Sequence, residues 1–213
     1  MTYEKPSTLM PDTLRVPGAS YRRLDAGDAR RLRAHLLRLH PDDVHNRFMG
    51  AKHRTLITRY VRAIDWQTAL IIGCFFGRSM RGACELYPID KRRGEIAVSV
   101  ERRFQRRGIG REMLSRTLLL ARNRGMVEFE FRCFTHNGKM RGLVRGFDGK
   151  VDIEAMEATA VIHALPATPI TYLSEMVEQA GLVGSSLMRL WLHTHNMASD
   201  RCRATPDMFG HHR

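Results

Sequence analysis

Leu32, Leu36 and Leu39 fall on one face of the stretch "ARRLRAHLLRLH", a helix that opens after Asp25 or Asp28 and stops at Pro41. A short strand, "YRRLD", precedes it. A second helical run, from Asn46 to Ile64, carries Phe48, Leu56, Tyr60, Val61 and Ile64. After Asp65 the period becomes that of strands. "TALIIGCFF" and "RGACELYPI" are separated by a hairpin, "GRSMR", and "GEIAVSV" follows across "DKRR". A glycine-containing turn then leads into the helix "REMLSRTLLLARNRG", closed by Gly125.

The next segment, "VEFEFRCF", alternates apolar Val127, Phe129, Phe131 and Cys133 with Glu128, Glu130 and Arg132, the signature of a half-buried strand. Asn137 opens a short helix, "GKMRGLVRGF", and "KVDIEAMEATAVIHAL" forms a final strand pair. The expected fold is α/β (α+β): one mixed, mostly antiparallel sheet of about seven strands with helices on both faces. Residues 1–19 hold three prolines and read as a weakly ordered arm, and residues 20–165 as the domain. A helical extension, 166–195, starts with Thr168 as cap and Pro169 at the first position, and includes "ITYLSEMVEQAG" and "SSLMRLWLH". Its apolar stripes require burial, against the domain's own edge or in a homodimer; 196–213 reads as a loose tail.

Charge narrows the partners. The 35 Lys+Arg against 22 Asp+Glu give a net charge of +13, which attracts nucleic acid, anionic membrane or a highly phosphorylated small molecule. The longest apolar run, "ALIIGCFFG", is about half a membrane span, and the N-terminus has no apolar signal core. The cysteines at 74, 84, 133 and 202 form no C-x-x-C pair, and the first three sit in strands as small hydrophobes. A cytoplasmic location is expected.

The chemistry concentrates in "FQRRGIGRE", Phe104 to Glu112, between the strand "EIAVSV" and an amphipathic helix. Amides at a helix N-terminus bind anions, and Gly108 and Gly110 let the backbone approach a phosphate closely. Arg106, Arg107 and Arg111 add charge at the rim. There is no Walker motif, and Met113 breaks the Rossmann pattern.

The order Gln-x-x-Gly-x-Gly, Gln105 to Gly110, resembles the acyl-CoA pyrophosphate loop of the GNAT (Gcn5-related) N-acetyltransferases. The likeness covers roughly residues 20–165, with the same element order. "RLHPDDVHNRFMG" and "AIDWQTALIIGCF" are similar to the branch of bacterial Pat-type protein-lysine acetyltransferases, without their additional domains. The resemblance implies acetyl-CoA as co-substrate, no metal, and direct transfer to a primary amine in a ternary complex. The backbone of Val98 would face the thioester carbonyl and that of Val100 the pantetheine, with Ser99 between them. Gln105, Arg106, Arg107, Gly108, Ile109, Gly110 and Arg111 would hold the pyrophosphate, and Asn137 would touch the pantetheine arm.

Strand alternation puts Glu95, Ala97 and Ser99 on one face of "GEIAVSV". Glu95 also matches the catalytic glutamate of Pat-type enzymes and is the candidate base; Glu85 and Glu130 are substitutes. Many family members carry a tyrosine as general acid seven residues after the asparagine, where this chain has Val144. Either water supplies that proton or another hydroxyl does, with Tyr21, Tyr60 and Ser99 as candidates. Histidines 193 and 195, two apart, point to different helix faces and do not suggest a metal site. Two other readings compete with the enzyme: a non-catalytic acetyl-CoA sensor and a basic nucleic-acid binder.

Overall fold

A computed structural model of the protein describes residues 16–50 and 54–176. The chain divides into two units, residues 1–171 and 172–213. The first holds a seven-stranded sheet: β1 (Ala19–Arg23), β2 (Leu70–Phe76), β3 (Ser79–Pro88), β4 (Arg93–Val100), β5 (Glu128–Phe134), β6 (Lys150–Glu154) and β7 (Glu157–His163). Its order is β1-β2-β3-β4-β5-β7-β6. Every pairing is antiparallel except β4 with β5. This is the mixed, mostly antiparallel sheet that the hydrophobic periods predict.

Both sheet faces are covered, as the fully apolar run Leu70–Cys74 requires. On one face lie α4 (Ile109–Arg122) and α5 (Gly138–Arg145); Met113, Leu114 and Leu118 of α4 pack with Cys84, Leu86, Ile96, Phe129 and Phe131. On the other lie α1 (Ala29–Leu37) and α3 (Arg54–Arg62), where Leu32, Leu36, Ile57 and Val61 meet Ile71, Phe75 and Ala83. Between α1 and α3, α2 (Pro41–Arg47) touches both β4 and β5.

Two boundaries differ from the sequence expectation. Pro41 ends α1 but also opens α2, because proline lacks only an N–H that a first helical residue leaves unpaired, and the His40 side chain caps that helix. The predicted run 46–64 is accordingly split, and Met49 takes a left-handed φ of 45° beyond the end of α2. α4 ends as predicted at Gly125, whose φ of 84° permits a Schellman closure: Gly125 N–H donates to Arg122 O and Met126 N–H to Ala121 O.

Residues 169–176 are helical, and Thr171 N–H donates to the Thr168 hydroxyl at the start of that helix. The arm's first fifteen residues, the predicted second C-terminal helix and the tail lie outside the described residues. Among the described residues no helix is long and apolar enough to cross a membrane. Cys74, Cys84 and Cys133 are buried free thiols, as expected for small hydrophobes.

One ion pair is buried on the α3 side of the sheet. Glu85 is fully buried, and its carboxylate accepts hydrogen bonds from Arg47 Nη2 at 2.8 Å, Tyr60 at 2.7 Å and Tyr87 at 3.0 Å. Burial, followed by the Glu85 charge, pushes both phenols well above their ordinary range, so they act as fixed donors. Arg47→Met would strand the carboxylate. The expected loss is about 3–5 kcal/mol of unfolding free energy, measured by denaturant titration, with Glu85→Gln in the same chain recovering part of it.

Candidate active site

The parallel pairing of β4 and β5 lasts only three positions, Arg93–Glu95 against Glu128–Glu130. Beyond Glu95 the strands part, and a cavity of about 600 Å³ opens, walled on the β4 side by Ala97, Val98, Ser99 and Val100. Backbone parity decides what faces it. Glu101 N–H donates to Arg81 O, so Glu101 and the residues two and four before it turn their polar backbone toward β3. The N–H and C=O groups of Val98 and Val100 therefore point toward β5, which has moved away.

The cavity passes through the plane of the sheet. Val98, Val100, Ile109, Met140 and Leu143 line it from the α4 and α5 side, and Leu39, Asp43, Asn46 and Arg47 from the α1 and α2 side. α4 points its N-terminus into it. The helix's first internal bond is Glu112 N–H to Gly108 O, so the amides of Gly108, Ile109, Gly110 and Arg111 have no partner within the helix. Gly108 reaches this arrangement at a φ of 82°, and no side chain caps the helix.

Arg106, Gly108, Ile109, Gly110 and Arg111 line the cavity, whereas the Arg107 guanidinium lies 5.6 Å from the Phe104 ring and is not part of the lining. Gln105 also lines it, but its side chain braces the loop. Nε2 donates to Val100 O at 2.9 Å and Asp43 Oδ2 at 3.3 Å, while Oε1 accepts from Lys139 Nζ at 2.7 Å. Asn137 is in the lining, and its Oδ1 caps α5 by accepting from Met140 N–H. On the β5 side, His136 stacks on Phe134, which stacks on His45, and His136 Nε2 lies 3.0 Å from Asn46 Oδ1.

Glu95 is half-buried at the foot of the gap, opposite Tyr87 and Glu130, and does not line the cavity. The substitutes are committed elsewhere: Glu85 to Arg47, and Glu130 to Arg93 at 3.7 Å. Tyr60 serves Glu85, and Tyr21 is buried beside Cys74, its hydroxyl raised well above the ordinary range by burial first. Val144 is fully buried in the core against Gly149. Among the described residues no group of His, Cys, Asp and Glu could hold a metal ion.

One constellation was not anticipated. His35, fully buried on α1, has Nε2 3.0 Å from Ser99 Oγ and Nδ1 3.3 Å from Glu101 Oε1. Arg38 Nε and Arg81 Nη1 each donate to the same carboxylate at 2.9 Å. Burial alone would raise the Glu101 pKa; the bonds from His35, Arg81 and Arg38 outweigh it and hold it at about 2. The readable signal was a histidine set three after Leu32, inside α1's apolar stripe.

Residues 36–147 match the model of the acetyltransferase (GNAT) family, and the chain belongs to that family. No curated protein matches it by sequence. Among solved structures it is similar to the GNAT domain of Streptomyces lividans PAT, at 17% identity and a TM-score of 0.61, over 68% of this chain and 90% of that one. It is also similar to YncA of Salmonella typhimurium, a putative acetyltransferase solved with acetyl-CoA (15% identity, TM-score 0.57, 71% and 97% coverage). PaiA N-acetyltransferase of Thermoplasma acidophilum, solved with coenzyme A, shares 14% identity at a TM-score of 0.53, over 68% and 99%. At these identities the likeness is one of fold.

Two outcomes follow. A Cβ on Gly110 meets only Val98 and Leu143, at 3.8 and 3.9 Å, so Gly110→Glu should fold. Calorimetry should show its acetyl-CoA affinity reduced at least about tenfold, or roughly 1.4 kcal/mol. Glu101, held at about 2 in the folded chain against 4.5 normally, contributes stability that is complete above pH 4.5 and lost as pH falls through 2. Thermal melts of Glu101→Gln across that window should be flatter than those of the wild type.

Proposed function

We propose that the chain binds acetyl-CoA in the gap between β4 and β5 and passes the acetyl group directly to a primary amine, with a protein lysine as the leading acceptor. The observation that carries this reading is the opening of the gap onto the free amides of Gly108 to Arg111. A pyrophosphate suits that place: amides, helix dipole, Arg106 and Arg111 all favour negative charge. The backbone of Arg107 completes the loop while its side chain stays on Phe104. Gln105 contributes by bracing the turn. Val100, Ser99 and the amide nitrogen of Asn137 border the pantetheine arm. YncA and PaiA, which share the fold, were solved with acetyl-CoA and coenzyme A. The Pat-like segment "RLHPDDVHNRFMG" favours lysine as acceptor.

The chemistry divides among a few groups. An amine nitrogen attacks the thioester carbon, and a C–N bond forms. The charge that develops on the carbonyl oxygen meets the Val98 N–H, which faces the gap without a β5 partner. The C–S bond then breaks, and CoA leaves as its thiol. Glu95 takes the first proton, the one that makes the acceptor an ammonium. It sits two residues before Ala97 on the same face of β4, roughly 7 Å along the strand, within reach through one water.

Val144 favours a second reading. Its side chain is a buried alkyl group with no hydroxyl, where many family members carry their acid, as in a non-catalytic acetyl-CoA sensor. Mass spectrometry of a lysate incubated with the protein and labelled acetyl-CoA separates the two, since a sensor transfers no label. Glu95→Gln should retain acetyl-CoA affinity and lower turnover about 10²-fold. Wild-type activity should rise with pH as the acceptor amine deprotonates, and the variant should recover in part at high pH.

A further inference from the structure

The buried chain Ser99–His35–Glu101 has the connectivity of a relay. It starts at a residue that lines the cavity and ends at a carboxylate fixed by two arginines. Glu101 is ionised and can only accept, so His35 donates through Nδ1–H. In that tautomer Nε2 is an acceptor, and the Ser99 hydroxyl donates to it. The serine's lone pairs are left for a group in the cleft. This is the tautomer logic of a serine–histidine–carboxylate array, in which the acid fixes the ring and offsets the charge it acquires.

We propose that Ser99, backed by His35 and Glu101, carries the second proton of the acetyl transfer from the acceptor nitrogen to the departing sulfur. This rests on the transferase reading above. After Glu95 has taken the first proton and the amine has attacked, the nitrogen of the tetrahedral adduct is cationic and must lose another. That proton passes to Ser99 Oγ as the hydroxyl's own proton moves to His35 Nε2. The imidazolium so formed lies against the Glu101 carboxylate. When the C–S bond breaks, Ser99 gives a proton to the thiolate and recovers one from His35. The products are amide and thiol, and the three side chains return to their starting state. Ser99 thereby supplies the acid that Val144 cannot. Ser99 is the catalytic residue of the array, and His35 and Glu101 position it and hold its proton.

The first test needs no acceptor. In wild-type protein labelled with ¹⁵N-histidine and saturated with coenzyme A, His35 should resonate as the neutral Nδ1–H tautomer at neutral pH. An Nε2–H tautomer overturns the relay, because Ser99 would then have no proton acceptor behind it. The second uses acetyl-CoA with Nα-acetyl-lysinamide as the acceptor probe. At saturating acetyl-CoA, Ser99→Ala should lower kcat about 10²-fold. His35→Gln, which can still hydrogen-bond but does not titrate, should lower kcat similarly. It should also remove one unit of slope from the acid side of the pH–rate profile. The charged groups around that ring, Glu101, Arg38 and Arg81, are unaltered in this variant. A folded Ser99→Ala with wild-type kcat, or a His35→Gln profile of unchanged slope, overturns the proposal. If the wild type binds acetyl-CoA but labels neither the probe nor any lysate component, the transferase reading fails, and the relay with it. Transfer at the wild-type rate in Ser99→Ala sinks the relay alone.

Discussion

The parting of β4 from β5 is the constraint on which the rest of the site depends. Two neighbouring strands ordinarily satisfy each other's backbone, and here the pairing stops after Glu95 and Glu130. The polar groups of Val98 and Val100 then look into open space, a costly state unless something answers them. The molecule supplies part of the answer through Gln105, which donates to Val100 O, and anchors that glutamine to Asp43 of α2 and Lys139 of α5. The same side chain thus ties together helices from opposite faces of the sheet. A gap held open this way presents unpaired backbone donors at a fixed place before any ligand arrives.

Each face of the gap has its own electrostatic character. The α4 side offers amides together with Arg106 and Arg111, while the acidic residue of the helix's first turn, Glu112, is paired with Arg116. On the α2 side, charges are already paired: Arg47 to Glu85, and Asp43 to Arg102 and Lys139. That side is therefore shaped by charge without presenting much of it.

The sheet was readable because its hydrophobic periods are strong. Leu32, Leu36 and Leu39 placed α1, and the alternation from Val127 to Cys133 placed β5. The glycine loop was readable because it sits between a strand and a helix. What escaped has physical reasons. Pro41 carries two meanings, the end of one helix and the start of the next, and local sequence does not rank them. Glu85 looks like any strand carboxylate until Arg47, 38 residues away in sequence, is seen to neutralise it. Burial of His35 depends on Ser99 and Glu101, 64 and 66 residues further on, so its partners are set by tertiary packing alone. Gln105, read as a ligand contact, lines the cavity, and its bonds to Val100, Asp43 and Lys139, which the sequence did not show, also brace the loop.

The cavity crosses the plane of the sheet and draws its walls from helices on both faces. On the proposed reading the nucleotide lies beside α4; with the acceptor approaching from the α2 side, neither would have to pass the other. Such a passage works as a corridor with separate doors. A dead-end analogue of the amine would leave nucleotide exchange open, and free CoA would linger without obstructing the next acceptor's approach. Turnover would then be governed by how quickly each door clears on its own, with no sequence of arrivals imposed by the walls.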